Sequence, residues 1–354
     1  MGHQKSKIRV GFTYDLKSEH LARGATIEEV AEFESGETIE AITKALIRLG
    51  FEVDPIGNIF NLVQKLSQGQ RWDFVFNFAE GSHGLAREAQ IPCLLDAYQI
   101  PYVFSDSSVL MLTHHKALCK QALQNSSVPT APFFLVHNLK DLEECKLPFP
   151  LFVKPVAEGS GKGVSAQSLV THDDQLYSQC KLLLEKFNQP VLVETYLSGA
   201  EYTVGMLGAG EHSRVLGVME VHFTPAADEK FYSFEHKKEF GDHVSYRLAD
   251  QSVHEAVARV ALEAWKHLGC RDGGRIDIRM DHQNTPHFIE VNPLPGLAPG
   301  FSDLVTLAEL NGMTYQDLIA EIVFSALSRI PPSELKKSLR DDAHSQRTEA
   351  LAQI

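Results

Sequence analysis

No CxxC pair occurs in this 354-residue chain, and its five cysteines (Cys93, Cys119, Cys145, Cys180, Cys270) are odd in number and far apart. That usage is read as reduced, mostly structural thiols in a cytoplasmic protein. Sixteen histidines form no HExxH or comparable spacing, which leaves a histidine-bound zinc site unsupported. No apolar run approaches the ~20 residues that a membrane span requires. Positive charge is in deficit, with 33 Lys and Arg against 46 Asp and Glu, a formal net charge of −13. Nucleic acids and anionic membranes call for basic patches, so the balance argues against both as partners. Nucleotide binding needs only local positive charge and stays open. MGHQKSKIRV passes from polar residues straight into a short strand, so no secretory signal is expected. Internal repeats and a nucleophilic Ser–His–Asp set are also missing.

What is present centres on GRIDIRMDHQNTPHFIEVNPLPG, Gly274 to Gly296. Arg275, Asp277, Arg279 and Asp281 alternate with Ile276, Ile278 and Met280, a period of two that predicts a strand with one polar and one buried face. His282 to Thr285 has turn composition, and Phe288 to Asn292 alternates again, so a hairpin is expected. Asp277 then faces Glu290 and Asn292 across neighbouring rungs. Two carboxylates and an amide carbonyl are hard oxygen ligands, as magnesium shared with nucleotide phosphates requires. Arg279 and Asp281 are read as solvent-facing charges.

The chain before the hairpin alternates strand and helix. Strands are expected at Ile8–Tyr14, Phe51–Val53 and Trp72–Phe78, and helices at Gly36–Gly50 and Ile59–Leu66, with residues 15–35 irregular and acidic. That order indicates a small parallel sheet covered by helices, which binds ligands beyond the carboxyl ends of its strands. The loop Ala79 to Gly84 lies at such an end, where bordering a substrate and being plain surface are equal alternatives. Leu112 to Gln124 is expected as one helix carrying His114, His115 and Lys116. Leu151 to Lys154 is a strand that runs into Glu158-Gly159-Ser160-Gly161-Lys162-Gly163, whose small residues let backbone N–H groups approach phosphates. The loop is not a Walker A sequence, because Val156 replaces its first glycine and Gly163 its magnesium-binding Ser or Thr. Val191–Tyr196 and Glu201–Gly205 read as strands, residues 225–247 as a loop over a site, and Asp250–Leu268 and Ser302–Leu327 as helical.

Lys116, the Lys154 strand with its glycine loop, Glu194 to Leu197, and the GRID hairpin stand in an order that resembles the ATP-grasp enzymes, most closely the D-alanine–D-alanine ligases. PLFVKPVAEGSGKGVS is similar to the family's lysine strand and phosphate loop, VLVETYLSGAEYTVGMLG to its adenine-hinge strand, FYSFEHKK to its flexible loop, and GRIDIRMD with FIEVNPLPG to its metal hairpin. The resemblance covers roughly Phe74 to Leu327. It implies an α/β chain with α+β elements in the ATP-grasp fold. An N-terminal parallel α/β domain (1–104) would precede central (105–194) and C-terminal (195–330) subdomains that hold the nucleotide between them, with a polar tail at 331–354.

The resemblance further implies an ATP-dependent carboxylate–amine ligase that forms a peptide bond through an acyl phosphate. By the same likeness Lys116 and Lys154 contact ATP phosphates, Glu194 with Tyr196 and Leu197 binds adenine, and Glu201 binds ribose. Lys237 reaches the γ-phosphate, and Asp277, Glu290 and Asn292 hold two Mg²⁺ ions, for which Mn²⁺ is a substitute. Arg275 stabilises developing negative charge, and Ser160 lies where the loop meets substrate. Partners would be amino acids or amino-acid-like molecules, and a homodimer is usual in the families resembled. The amino-terminal histidine-glycine and GEDG signature is not reproduced, since Asn77 to Gly84 reads NFAEGSHG; Lys238 stands where a tyrosine is common; and Gly300-Phe301-Ser302 aligns loosely. These departures fall on the amino-acid subsites. They lead to the expectation that D-alanine alone is a poor substrate pair, and leave as alternatives a ligase for other amino acids or specialised metabolites and a catalytically silent ATP-binding module.

Overall fold

The computed structural model describes residues 7–223 and 244–330. The expected loop at 231–238, with Lys237 and Lys238, and the tail 331–354 lie outside these described residues. Among them no helix is long and apolar enough to cross a membrane.

Three sheets are built in chain order. β1 (Arg9–Tyr14), β2 (Glu52–Gly57) and β3 (Phe74–Phe78) form the parallel sheet anticipated from the alternation, in the order β2-β1-β3. All five residues of β3 are buried, because helices cover both faces and period-two polarity has no place in such a strand. Phe12 and Phe76 meet edge to face with centroids 5.6 Å apart, and Phe76 meets Phe104 at 5.5 Å. Residues 15–35, read as irregular, include the short helix α1 (Lys17–Ala22). Helix α2 (Gly36–Arg48) begins where the Ser35 hydroxyl accepts the Thr38 N–H, and it buries Ile42 and Leu46. Helices α3 (Ile59–Ser67) and α4 (Gln90–Ala97) complete the layer.

The expected single helix 112–124 is two: α5 (Ser107–His114) and α6 (Lys116–Leu123). His115 is extended (φ −90°, ψ 93°), and its ring accepts the Leu118 N–H as a new cap. The break frees the Lys116 N–H to donate to the Val156 carbonyl at 3.0 Å, which sets Lys116 beside the glycine loop.

The second sheet is antiparallel, with β4 (Phe133–Val136), β5 (Leu151–Pro155), β6 (Leu169–Val170) and β7 (Val191–Thr195) in the order β4-β7-β5-β6, and α7 (Asp173–Phe187) packs on it. The third orders β8 (Glu201–Leu207), β9 (Arg214–Phe223), β10 (Val244–Leu248), β11 (Gly273–Met280) and β12 (Pro286–Asn292) as β10-β9-β8-β11-β12. Helix α8 (Gln251–Leu268) lays Val257, Ala261 and Trp265 against it. A Cβ on Gly274 would stand 2.7 Å from the Trp265 ring and 2.6 Å from the Asn292 carbonyl, so only glycine lets helix and hairpin close here. The last helical stretch is also two helices, α9 (Asp303–Leu310) and α10 (Tyr315–Arg329), parted at Asn311 and at Gly312 (φ +77°) and restarted by a Thr314 capping box. Both pack into one core with Phe12, Phe76 and Phe104 of the amino-terminal layer. The cleft between the two antiparallel sheets is where the polar residues gather.

Candidate active site

The hairpin forms in the expected register. Asp277 pairs with Glu290 and Arg275 with Asn292, with an irregularity between Asp277 and Ile278. Asp277 accepts the Thr203 hydroxyl at 3.0 Å and the Asn292 amide N–H at 3.2 Å, and lies 3.5 Å from the Arg275 guanidinium. Arg275 also reaches Asp303 at 3.4 Å. Burial pushes the Asp277 carboxyl up; Arg275 opposes the rise, while Glu290 and Asp303 add to it. Burial likewise works against ionised Glu290, but Lys116, Lys154 and Arg275 outweigh it and hold its pKa at about 2. Among the described residues no three His, Cys, Asp or Glu side chains converge as a complete metal cage. The pair Asp277 and Glu290 with the Asn292 amide is instead a partial, hard-oxygen set, and its carboxylates repel each other across the rung. That donor chemistry fits a magnesium ion that takes its remaining ligands from phosphate and water.

Facing the hairpin, Lys154 is the last residue but one of β5 and is 7% exposed. Its buried ammonium is paired with Glu194, 2.9 Å away on β7. The other Glu194 oxygen lies 2.5 Å from Lys120, which is fully buried. Lys116 reaches Glu290 at 3.3 Å and donates to the Glu158 carbonyl at 2.5 Å. The glycine loop follows. Ser160, Gly161 and Gly163 have φ of 50°, 69° and 75°, and a Cβ on Gly163 would fall 2.5 Å from Pro155. Lys116, Lys154, Ser160, Glu194, Tyr196, Leu197, Glu201, Arg275, Asp277 and Glu290 line one cleft of about 130 Å³. Asn292 lines the adjoining cavity of about 730 Å³, which shares Lys116, Ser160, Arg275 and Glu290 with the cleft.

Arg279 corrects the sequence reading. It is 8% exposed, donates to Glu201 at 3.1 Å and to the Tyr196 hydroxyl at 3.3 Å, and lies over the Tyr196 ring. The alternation placed it on the polar face correctly, but the face opens onto the cleft, where a partner strand supplies a carboxylate. Asp281 is half-buried and accepts the Gln283 and Thr285 N–H groups of the turn. Lys120 went unnoticed although it follows Lys116 by four residues, the spacing that puts two side chains on one helix face. A second group was also missed. Glu32 bonds Arg87 at 2.9 Å and Lys162 at 2.7 Å, and Lys162 bonds Glu158 at 2.5 Å, which ties the glycine loop to the amino-terminal layer. Of the loop after β3, Glu80 lines the larger cavity while Ser82, His83 and Gly84 are exposed.

Comparison with known proteins agrees with this architecture. The family model described as the D-ala D-ala ligase C-terminus matches residues 123–324. The D-alanine–D-alanine ligase of Alcanivorax borkumensis is 30% identical over 312 residues, 87% of this chain and 93% of that protein. The crystal structure of the Bacillus anthracis D-alanine–D-alanine ligase complexed with ATP is similar in fold, with a TM-score of 0.70 and 20% identity over 92% of this chain and 98% of that one. The VanG D-Ala:D-Ser ligase of Enterococcus faecalis gives a TM-score of 0.70 at 17% identity, covering 91% and 100%. On the family match and the full-length relative together, the chain belongs to the D-alanine–D-alanine ligase family of ATP-grasp enzymes, ATP-dependent ligases that form a C–N peptide bond.

Proposed function

We propose that the cleft binds ATP and that the adjoining cavity binds two amino-acid substrates. Lys116, Lys154 and the backbone of the glycine loop hold the phosphates; Glu194, Tyr196 and Leu197 hold adenine; Glu201 holds ribose, itself oriented by Arg279. Asp277, Glu290 and Asn292 are the residues that would hold two magnesium ions, which neutralise and align phosphate oxygens when bound. The observation that carries this reading is the convergence of Lys116, Lys154 and Arg275 with a hard-oxygen pair in one cleft, the three cations coming from α6, β5 and β11.

Joining a carboxylate to an amine near neutral pH needs an activated acyl group. A substrate carboxylate oxygen attacks the ATP γ-phosphorus, the bond to ADP breaks, and an acyl phosphate forms. The second substrate's neutral amine attacks the acyl carbon, a C–N bond forms, inorganic phosphate leaves, and the amine loses its proton. Arg275 meets the tetrahedral oxyanion, an interaction whose removal typically costs about 10²–10³ in rate. Ser160, on the rim shared by cleft and cavity, would touch substrate there, a role that rests on the resemblance. Lys237 keeps its γ-phosphate role by resemblance alone. Dispersed free thiols, three of them buried, support a cytoplasmic enzyme, and homodimerisation rests on the resemblance.

D-alanine is the substrate that the names of the two D-alanine–D-alanine ligases suggest for both positions. One observation favours a different first substrate. Glu80 lines the cavity, and burial together with nearby Glu88, Glu32 and Glu34 holds its pKa well above the ordinary carboxyl range. Such a wall replaces the signature loop of the family and gives the subsite another polarity. Phosphate release from ATP, measured across paired D- and L-amino acids with products identified by mass, decides the substrate. Glu290→Gln is expected to lower release by about 10² or more without loss of fold; near-full activity of that variant would overturn the site assignment.

A further inference from the structure

Lys120 does not line the nucleotide cleft, yet it is fully buried beside it. Its ammonium lies 2.5 Å from Glu194, the one carboxylate within ion-pair distance of it among the described residues. Behind it stands the Phe133 ring, 6.0 Å from Nζ. Glu194 is therefore gripped from two sides, by Lys120 on α6 and by Lys154 on β5 at 2.9 Å. Burying an ammonium is strongly unfavourable unless an anion pairs with it. A single lysine would neutralise Glu194, so the second cation calls for a reason.

The reason lies in the double duty of Lys154. Among the groups around it are Glu290 and Glu201, both in the cleft, and nucleotide phosphates would enter the same space. When Lys154 turns its charge toward phosphate, Glu194 loses much of that partner while it stays buried. A carboxylate left so would take up a proton or move. We infer that Lys120 is a positioning residue for nucleotide binding: it holds Glu194 ionised and fixed from behind, which frees Lys154 to serve the phosphates.

The electrostatics agree. Burial works against ionised Glu194, but Lys120 and then Lys154 outweigh it and hold the pKa at about 2. Burial also drives the Lys120 pKa down, and Glu194 only partly offsets it. Lys154 shows the reverse balance, with Glu194 and Glu290 overcoming burial to raise its pKa. Lys120 thus depends on Glu194, whereas Lys154 has other anions to turn to.

This inference rests on the nucleotide reading of the cleft, and the two are separable by experiment. Binding of Mg²⁺ with a non-hydrolysable ATP analogue is measured by calorimetry for the wild type, Lys120→Met, Lys120→Arg, Glu194→Gln and the Lys120→Met/Glu194→Gln pair. Lys120→Met is expected to bind about tenfold more weakly, and Lys120→Arg to recover most of the loss. With ATP, kcat at saturation and the amino-acid KM values should stay within about threefold of wild type, because Lys120 touches neither substrate. The double variant should bind no more weakly than Glu194→Gln alone, since Lys120 acts only through Glu194. It carries neither charge of the Lys120–Glu194 pair, so it decides the matter if Lys120→Met does not fold. Additive losses in the double variant, wild-type affinity in Lys120→Met, or a kcat that falls with KM unchanged would overturn the inference alone. A wild-type protein that fails to bind the analogue would overturn the nucleotide reading and this inference with it.

Discussion

Replacing Arg87 by Met tests how the glycine loop is held. Arg87 is 7% exposed and makes three links: to Glu32 at 2.9 Å, to the Ala157 carbonyl at 3.0 Å, and to Glu158 at 3.8 Å. Burial works against ionised Glu32, yet Arg87 and Lys162 outweigh it and bring its pKa from 4.5 to about 2. A drop of that size corresponds to about 3 kcal/mol of folded-state preference for the carboxylate. Because the folded pKa is depressed, this stability is complete above pH 4.5 and is lost as the pH falls towards 2. Without Arg87, Lys162 alone must serve both Glu32 and Glu158, and breaking a buried pair on one side costs about 3–5 kcal/mol. Urea denaturation at pH 7 should therefore show the variant about 3 kcal/mol less stable than wild type. The gap should narrow below pH 4.5, where protonation of Glu32 removes the unpaired charge from the variant and the favourable pairing from the wild type. Equal midpoints at pH 7, or a gap that does not change with pH, would refute this account of the clamp.

Other substitutions probe other parts of the site and its frame. Gly163→Ala places a Cβ 2.5 Å from Pro155 at a φ of +75°, so it should cost about 1–2 kcal/mol and weaken ATP binding, as read by calorimetry. Arg279→Met leaves Glu201 buried without its guanidinium; burial already raises the Glu201 pKa, and KM for ATP should rise about tenfold with kcat little changed in a phosphate-release assay. Asp272→Ala removes a fully buried carboxylate that accepts the Phe104 N–H and the Ser325 hydroxyl at 2.8 Å each and pairs with Arg329. The loss should be about 3–5 kcal/mol in urea unfolding, with ATP affinity in the remaining folded protein unchanged.

Why some of this was legible in the sequence and some was not follows from what each signal depends on. The hairpin could be read because its register is local: a period of two, a turn, and a second period of two fix Asp277 opposite Glu290 wherever the hairpin lies. The parallel sheet could be read from the spacing of short apolar strands between amphipathic helices. The break at His115 could not, since residues 107–123 carry no proline or glycine, and beyond the local His115 cap the break is compensated by a hydrogen bond to Val156, forty residues away. Long-range pairing also hid Arg279. An arginine on the polar face of a strand looks solvated until β8 brings Glu201 against it. The same holds for Lys120, Glu32 and Arg87, whose meaning lies in partners from other elements. Charged groups in this site are thus arranged in pairs that span separate elements, Lys116 with Glu290, Lys120 and Lys154 with Glu194, Arg279 with Glu201, and Lys162 with Glu32. Each pair fixes one element against another, and Lys116, Lys154, Glu194, Glu201 and Glu290 serve both that framework and the proposed binding of ATP and magnesium.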